Sequence, residues 1–147
     1  MPSLLDRHVR SDLLKRAQQL TPDRVPQWGR MTCPQMLAHV NDVLRMALGD
    51  LPTKFQGSPF RFPGMSYMAI YWLPWAKGLP SAPELFRSDG IDWNEEQQFL
   101  GELMERIAER DPASVMPVHP LFGSISHKTW AVLAYRHTAH HLRQFGV

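Results

Sequence analysis

One cysteine in 147 residues, Cys33, excludes an intrachain disulfide. Long apolar runs are missing as well. The longest, MSYMAIYWLPWA at 65–76, is about 12 residues and contains Pro74, whereas a bilayer core requires about 20. The opening MPSLLDRHVRSDLLKR holds no apolar core of the kind a secretory leader carries. Together these absences predict a cytoplasmic, reducing location and no membrane partner. Charge of one sign is scarce too. The formal net charge is +2, and Arg7, Arg10, Lys15, Arg16, Arg24 and Arg30 are scattered without a stripe that would follow a phosphate backbone, so no nucleic-acid partner is expected. The chain has no internal repeat, no low-complexity tract and no alternation long enough for a sheet. It also lacks HExxH, GxxxxGK[ST] and a strand-bound GxGxxG.

What remains is an ordinary globular composition, 44% hydrophobic and 20% charged, in a length suited to one domain spanning 1–147. Helical spacing is the dominant pattern. Leu4, Leu5, Val9, Leu13, Leu14 and Ala17 predict a first helix over 4–20, stopped before Thr21-Pro22. Thr32-Cys33-Pro34-Gln35 fits a capping box, and Met36, Leu37, Val40, Val43, Leu44 and Ala47 form the apolar face of the helix it starts. Gly49 suits the residue that closes it. Residues 50–90 are rich in proline, glycine and aromatics, with one short helix predicted at 65–73. A connection this long either serves function as a lid over a pocket or fills a hydrophobic edge. Asp92, with Glu95 three residues on, starts a helix to about Arg110 that buries Phe99, Leu100, Leu103, Ile107 and Ala108. Ser126 caps a last helix through Gln144. Four long helices and a short one predict an all-α helix bundle, whose interior is where facing helices build metal and cofactor sites.

The last helix reads YRHTAHHLRQF from Tyr135 to Phe145. Trp130, Leu133, Ala134, His137, His141 and Gln144 share one face, so His137 and His141 lie in the stripe expected to meet the core, while Arg136 and Arg143 point away. Imidazoles at i, i+4 stand one above the other, with Cβ atoms about 6 Å apart, and both can reach one ion. His140 is rotated to the edge of the stripe, as an outer or surface residue. Histidines near a helix C-terminus also gain from the helix dipole alone. A site needs a third ligand from another helix. His39, mid-helix at the core margin, is the best placed; His127 lies about 15 Å along the axis from His137, His119 is in the preceding loop, and His8 has no supporting context. Three neutral imidazoles with open positions suit zinc or nickel. Cys33 stands near a helix N-terminus, where a nucleophile or a structural thiol can sit.

The stretches MTCPQMLAHVNDVLRMALG and HPLFGSISHKTWAVLAYRHTAHHLRQFG, with GLPSAPEL between them, resemble the DinB-like superfamily of metal-binding helix bundles, most closely a bacterial subfamily of unknown function. The resemblance covers roughly residues 25–147. It implies an up-down-down-up four-helix bundle with a long, partly helical crossover. It also implies a divalent metal held by one histidine of the second helix and a His-x-x-x-His pair of the last, which fall on His39, His137 and His141. The triplet after the last ligand, usually Arg-Gly-Gln, is here Leu142-Arg143-Gln144. Characterised members include transferases and an isomerase that use a low-molecular-weight thiol with a divalent metal, and members are frequently homodimers. The expectation is therefore a metal-dependent hydrolase or thiol S-transferase acting on a small molecule. In that expectation the 55–80 segment shapes the pocket, and Tyr135, Arg136, Asp42 and Gln144 support the ligands from outside. Its rival is a non-catalytic bundle that uses the ion as a staple, or that only dimerises through its helix faces.

Overall fold

The computed structural model describes residues 1–54, 57–62, 64–75, 85, 87 and 89–147. Its helices are α1 (Arg7–Ala17), α2 (Cys33–Leu48), α3 (Met65–Tyr71), α4 (Trp93–Glu109) and α5 (His127–Gln144), with a 3-10 turn at Pro59–Arg61. Among the described residues there is no strand, only an isolated antiparallel bridge between His119 and Gly123. No described helix is long and apolar enough to cross a membrane. The chain is all-helical.

The helix ends follow their local chemistry. At α2 the Thr32 hydroxyl accepts from Gln35 N (3.3 Å) and the Gln35 amide oxygen accepts from Thr32 N (3.0 Å), which closes the capping box. Gly49 ends α2 in the left-handed region at φ +87°, where a side chain would be strained. The Asp92 carboxylate accepts from the amides of Asn94 and Glu95 to start α4, and Ser126 accepts from Thr129 N to start α5. The first helix is shorter than its apolar spacing predicts. Asp6 caps it by accepting from His8 N (2.8 Å), so Leu4 and Leu5 precede it; Leu4 is fully buried, with its N–H donated to the Ala131 carbonyl, while Leu5 is exposed.

α2 packs on α4 and α5, α1 packs on the same two helices, and α3 packs on α5. Twelve of the sixteen residues of α2 are buried, His39, Asn41 and Asp42 among them, so this helix is covered on more than its apolar face. α4 buries Glu96, Leu100, Leu103, Met104 and Ile107. Phe99, expected inside, is only partly buried and lies beneath the Arg45 guanidinium, 5.0 Å from its ring centre. Arg10 fastens α1: it donates to the Leu4 carbonyl (2.7 Å) and, through its fork, to both oxygens of Glu105 on α4. The largest fully buried side chain is Trp130 of α5, whose indole N–H donates to the Pro117 carbonyl (3.1 Å).

Candidate metal centre

His39 comes from the middle of α2 and His137 and His141 from the last two turns of α5. One ring nitrogen from each lies within 4.8 Å of the others, as three close donors able to hold a metal ion. The rings of His137 and His141 are 4.6 Å apart between centres, and each is 4.9 Å from that of His39. His39 is 1% exposed and His141 8%. The i, i+4 spacing stacks the α5 pair, and the packing of α2 on α5 brings the third ring to it.

Hydrogen bonds outside the cluster determine which nitrogen His39 and His141 turn inward. His39 Nδ1 lies 2.8 Å from the Leu85 carbonyl, and a carbonyl only accepts, so Nδ1 carries the proton and Nε2 the lone pair. That Nε2 is 3.1 Å from His137 Nε2. His141 Nδ1 lies 2.8 Å from Gln144 Oε1. The orientation of this amide follows from its other end: Gln144 Nε2 donates to the Trp28 carbonyl (2.8 Å), which requires Oε1 to face His141 and makes His141 Nδ1 a donor. Gln144 is held in turn by Gln27 N, which donates to its carbonyl, and by the close approach of Gly29. At φ +84°, Gly29 sits where an added Cβ would come within 2.5 Å of Gln144 Nε2.

In His39 and His141 the outer nitrogen donates, the arrangement that orients and tunes metal-binding histidines. His137 differs: its Nε2 faces His39, and its Nδ1 is buried with no hydrogen-bond partner. Two nitrogens bound to one ion at about 2.0–2.1 Å are separated by roughly 3–4 Å, the spacing already found between His39 and His137. All three rings are held neutral, the form that binds metal. Burial pushes His141 down to about 3, with the nearby His39 adding to it and the Gln144 bond opposing. Burial and the neighbouring His141 and His39 hold His137 well below its ordinary value. Burial also lowers His39, against the Leu85 bond.

The remaining sequence candidates separate cleanly. His140 is half-buried between Trp28 and Trp75, with ring centres 5.9 and 6.2 Å away, and the Trp75 ring centre also lies 6.1 Å from that of His137, giving the cluster an aromatic flank. His119 is buried against Trp130 and Phe122, and its Nδ1 accepts from the amides of Leu121 and Phe122, which closes a turn. His127 is bonded to the Ile107 carbonyl (2.7 Å), and His8 is exposed on α1. Cys33 is fully buried and pushed up to about 11 by burial, so it is a structural thiol and no nucleophile.

Of the four expected supporting groups, Gln144 touches a ligand. Asp42 belongs to a network of ion pairs one turn along α2, and Tyr135 packs partly buried on the core. Arg136 does not simply point into solvent: it donates to the carbonyls of Ala69, Ile70 and Leu73, satisfying the open end of α3, and stacks over Trp75. Residues 55, 56, 63 and 76–80 of the 55–80 segment, and all of GLPSAPEL but Leu85, lie outside the described residues; Leu85 supplies the acceptor for His39. A backbone carbonyl has no sequence signature, whereas Gln144, three residues beyond His141, does.

A family model described as a protein of unknown function, DUF1569, matches residues 4–146. The chain belongs to the DUF1569 family. No curated protein and no solved structure matches this DUF1569 chain.

Proposed function

We propose that this DUF1569 protein binds a divalent metal ion, zinc or nickel, through His39, His137 and His141, in an up-down-down-up four-helix bundle of the DinB-like type. One observation carries the proposal: two histidines of α5 meet a third 98 residues earlier in the chain, and the outer nitrogens of His39 and His141 are occupied by acceptors. Bound there, such an ion supplies Lewis acidity that makes a coordinated water or thiol a nucleophile near neutral pH, the chemistry of a hydrolase or a thiol S-transferase. The chain's own part is to present three neutral donors, leaving the charge of the ion uncancelled by its ligands. His137, less buried than the other two and flanked by Trp75, marks the side from which a small molecule or a low-molecular-weight thiol approaches.

Elemental analysis of untagged protein, beside a His39→Ala/His137→Ala/His141→Ala variant, tests the site. Near-stoichiometric zinc or nickel in the first and none in the second is expected. Absence of metal from native protein, even after reconstitution, rejects it.

The deep burial of His39 and His141 favours a second reading, in which the ion is a staple between α2 and α5. Chelation then lowers the melting temperature sharply and no thiol or ester is turned over. Under the catalytic reading the metal-loaded protein shows turnover that the triple variant lacks.

We also propose that the protein is a homodimer. Phe62, Tyr67, Met68, Trp72 and Leu73, in and around α3, are 39–76% exposed, an apolar surface of the kind that copies of a chain cover in each other. Light scattering is expected to give twice the chain mass for the native protein and the single mass for Trp72→Lys. A native monomer at micromolar concentration refutes the dimer.

A further inference from the structure

Two described residues between α3 and α4 are fixed to buried polar groups. Leu85, 4% exposed, gives its carbonyl to His39. Two residues on, Arg87 spreads its guanidinium between two helices: Nε donates to Asp42 Oδ2 on α2 (2.9 Å) and an Nη to Glu96 Oε1 on α4 (2.5 Å). Both carboxylates are nearly sealed from water, Asp42 at 4% and Glu96 at 3% exposure. Arg45 pairs with the other oxygen of Asp42 (2.8 Å), and Asn41 donates to the other oxygen of Glu96 (2.6 Å). Two carboxylates and two guanidinium groups make the network neutral.

Its placement matters more than its charge. His39 and Asp42 are i, i+3 on α2, hence neighbours on one face. Leu85 and Arg87 meet them in the same order, the carbonyl on His39 and the guanidinium on Asp42. Arg87 then continues to Glu96, which ties that stretch of the connection to α4 as well. A fork bonded to two carboxylates on two helices fixes the backbone two residues from the Leu85 carbonyl.

We infer that Arg87 is a positioning residue for the metal centre. By anchoring the connection to Asp42 and Glu96 it keeps the Leu85 carbonyl on His39 Nδ1, and so keeps the lone pair of His39 on Nε2, facing His137. The effect on metal affinity rests on the function proposed above; the effect on the His39 tautomer does not, since it belongs to the metal-free protein.

The test uses full-length protein and Arg87→Met/Glu96→Gln, which removes one charge of each sign and leaves Asp42 paired with Arg45. Long-range proton–nitrogen NMR of the metal-free protein reads which His39 nitrogen is protonated, zinc titration reads affinity, and circular dichroism checks the fold. Native protein is expected to show His39 protonated on Nδ1. The double variant is expected to show a mixture of tautomers and a zinc affinity lower by about 10- to 100-fold, the usual range for losing an outer partner of a ligand, at unchanged helix content. A folded double variant with the native tautomer overturns the inference. If native protein binds no zinc, the metal proposal fails and the tautomer comparison alone decides this one. If the double variant does not fold, Arg87→Lys takes its place. One ammonium cannot serve both carboxylates as the fork does, so a change in the same direction is expected, and a native tautomer with native zinc affinity overturns the inference.

Discussion

Metal-free protein is expected to unfold on acidification between pH 6.5 and about 4, with buried histidines as the main cause. His119 and His141 are each held near 3 in the fold, chiefly by burial, against an ordinary value of 6.5. The folded values lie below the unfolded ones, so between about 3 and 6.5 the unfolded chain takes up more protons. The stability these groups confer is therefore complete above 6.5 and is lost as pH falls towards 3. Each costs about 1.4 kcal/mol per pH unit in that window. At pH 4.5 the two together cost about 5 kcal/mol, comparable to the whole stability of a marginal domain. His137, also held low, adds to the loss.

The geometry agrees with the direction of the shifts. Protonating His119 destroys the acceptor that serves Leu121 N and Phe122 N, and protonating His141 removes a lone pair from the cluster. Circular dichroism against pH checks the expectation. Zinc should move the transition to lower pH by holding the ligand imidazoles neutral, while the His119 contribution persists. His119→Asn, whose amide oxygen can take over the two amides, should move the midpoint down with or without zinc. A metal-free midpoint below pH 3 would contradict the assignment.

The separate roles of His119 and His141 show how far the sequence reaches. The i, i+4 pair on the apolar stripe of α5 and the mid-helix position of His39 are enough to point to the three candidate ligands, because a helix fixes the relative directions of its own side chains. The caps at Thr32, Gly49, Asp92 and Ser126 likewise mark helix ends to within a residue or so, since each depends on a few neighbouring atoms. The contacts of Leu85 and Arg87 have no such local signal. Apolar spacing along α2 describes one face and is silent about cover on the others, so it does not show that Asn41 and Asp42 are both buried. Glu96 in the first turn of α4 looks like an ordinary helix-start acid. Only its long-range pairing with Arg87 makes it a buried anchor. Arg136 escapes the sequence for the same reason, because α3 lies across what α5 alone presents as its outer side.

Arg87→Met alone is expected to destabilise the protein by about 3 kcal/mol. Removing one partner from a buried ion pair costs about 3–5 kcal/mol, and the lower end applies because a third of the Arg87 side chain is exposed and water screens part of the loss. At this chain length that corresponds to a fall of about 10 °C in melting temperature. Adding Glu96→Gln should return most of it. The double variant no longer buries an unmatched carboxylate, and the amide oxygen introduced at that position still accepts from Asn41. The coupling between the two changes should thus reach about 2 kcal/mol, well beyond the additivity expected of independent sites. A single variant melting within about 3 °C of the native protein would show that Arg87 does not balance the buried acids. Well-packed apolar side chains often stabilise as well as a buried ion pair does, so stability alone gives little reason to bury this network. What apolar packing lacks is direction. The fork fixes the connection relative to both α2 and α4, and a double variant with near-native stability but weakened zinc binding would separate that positioning from any contribution to the fold.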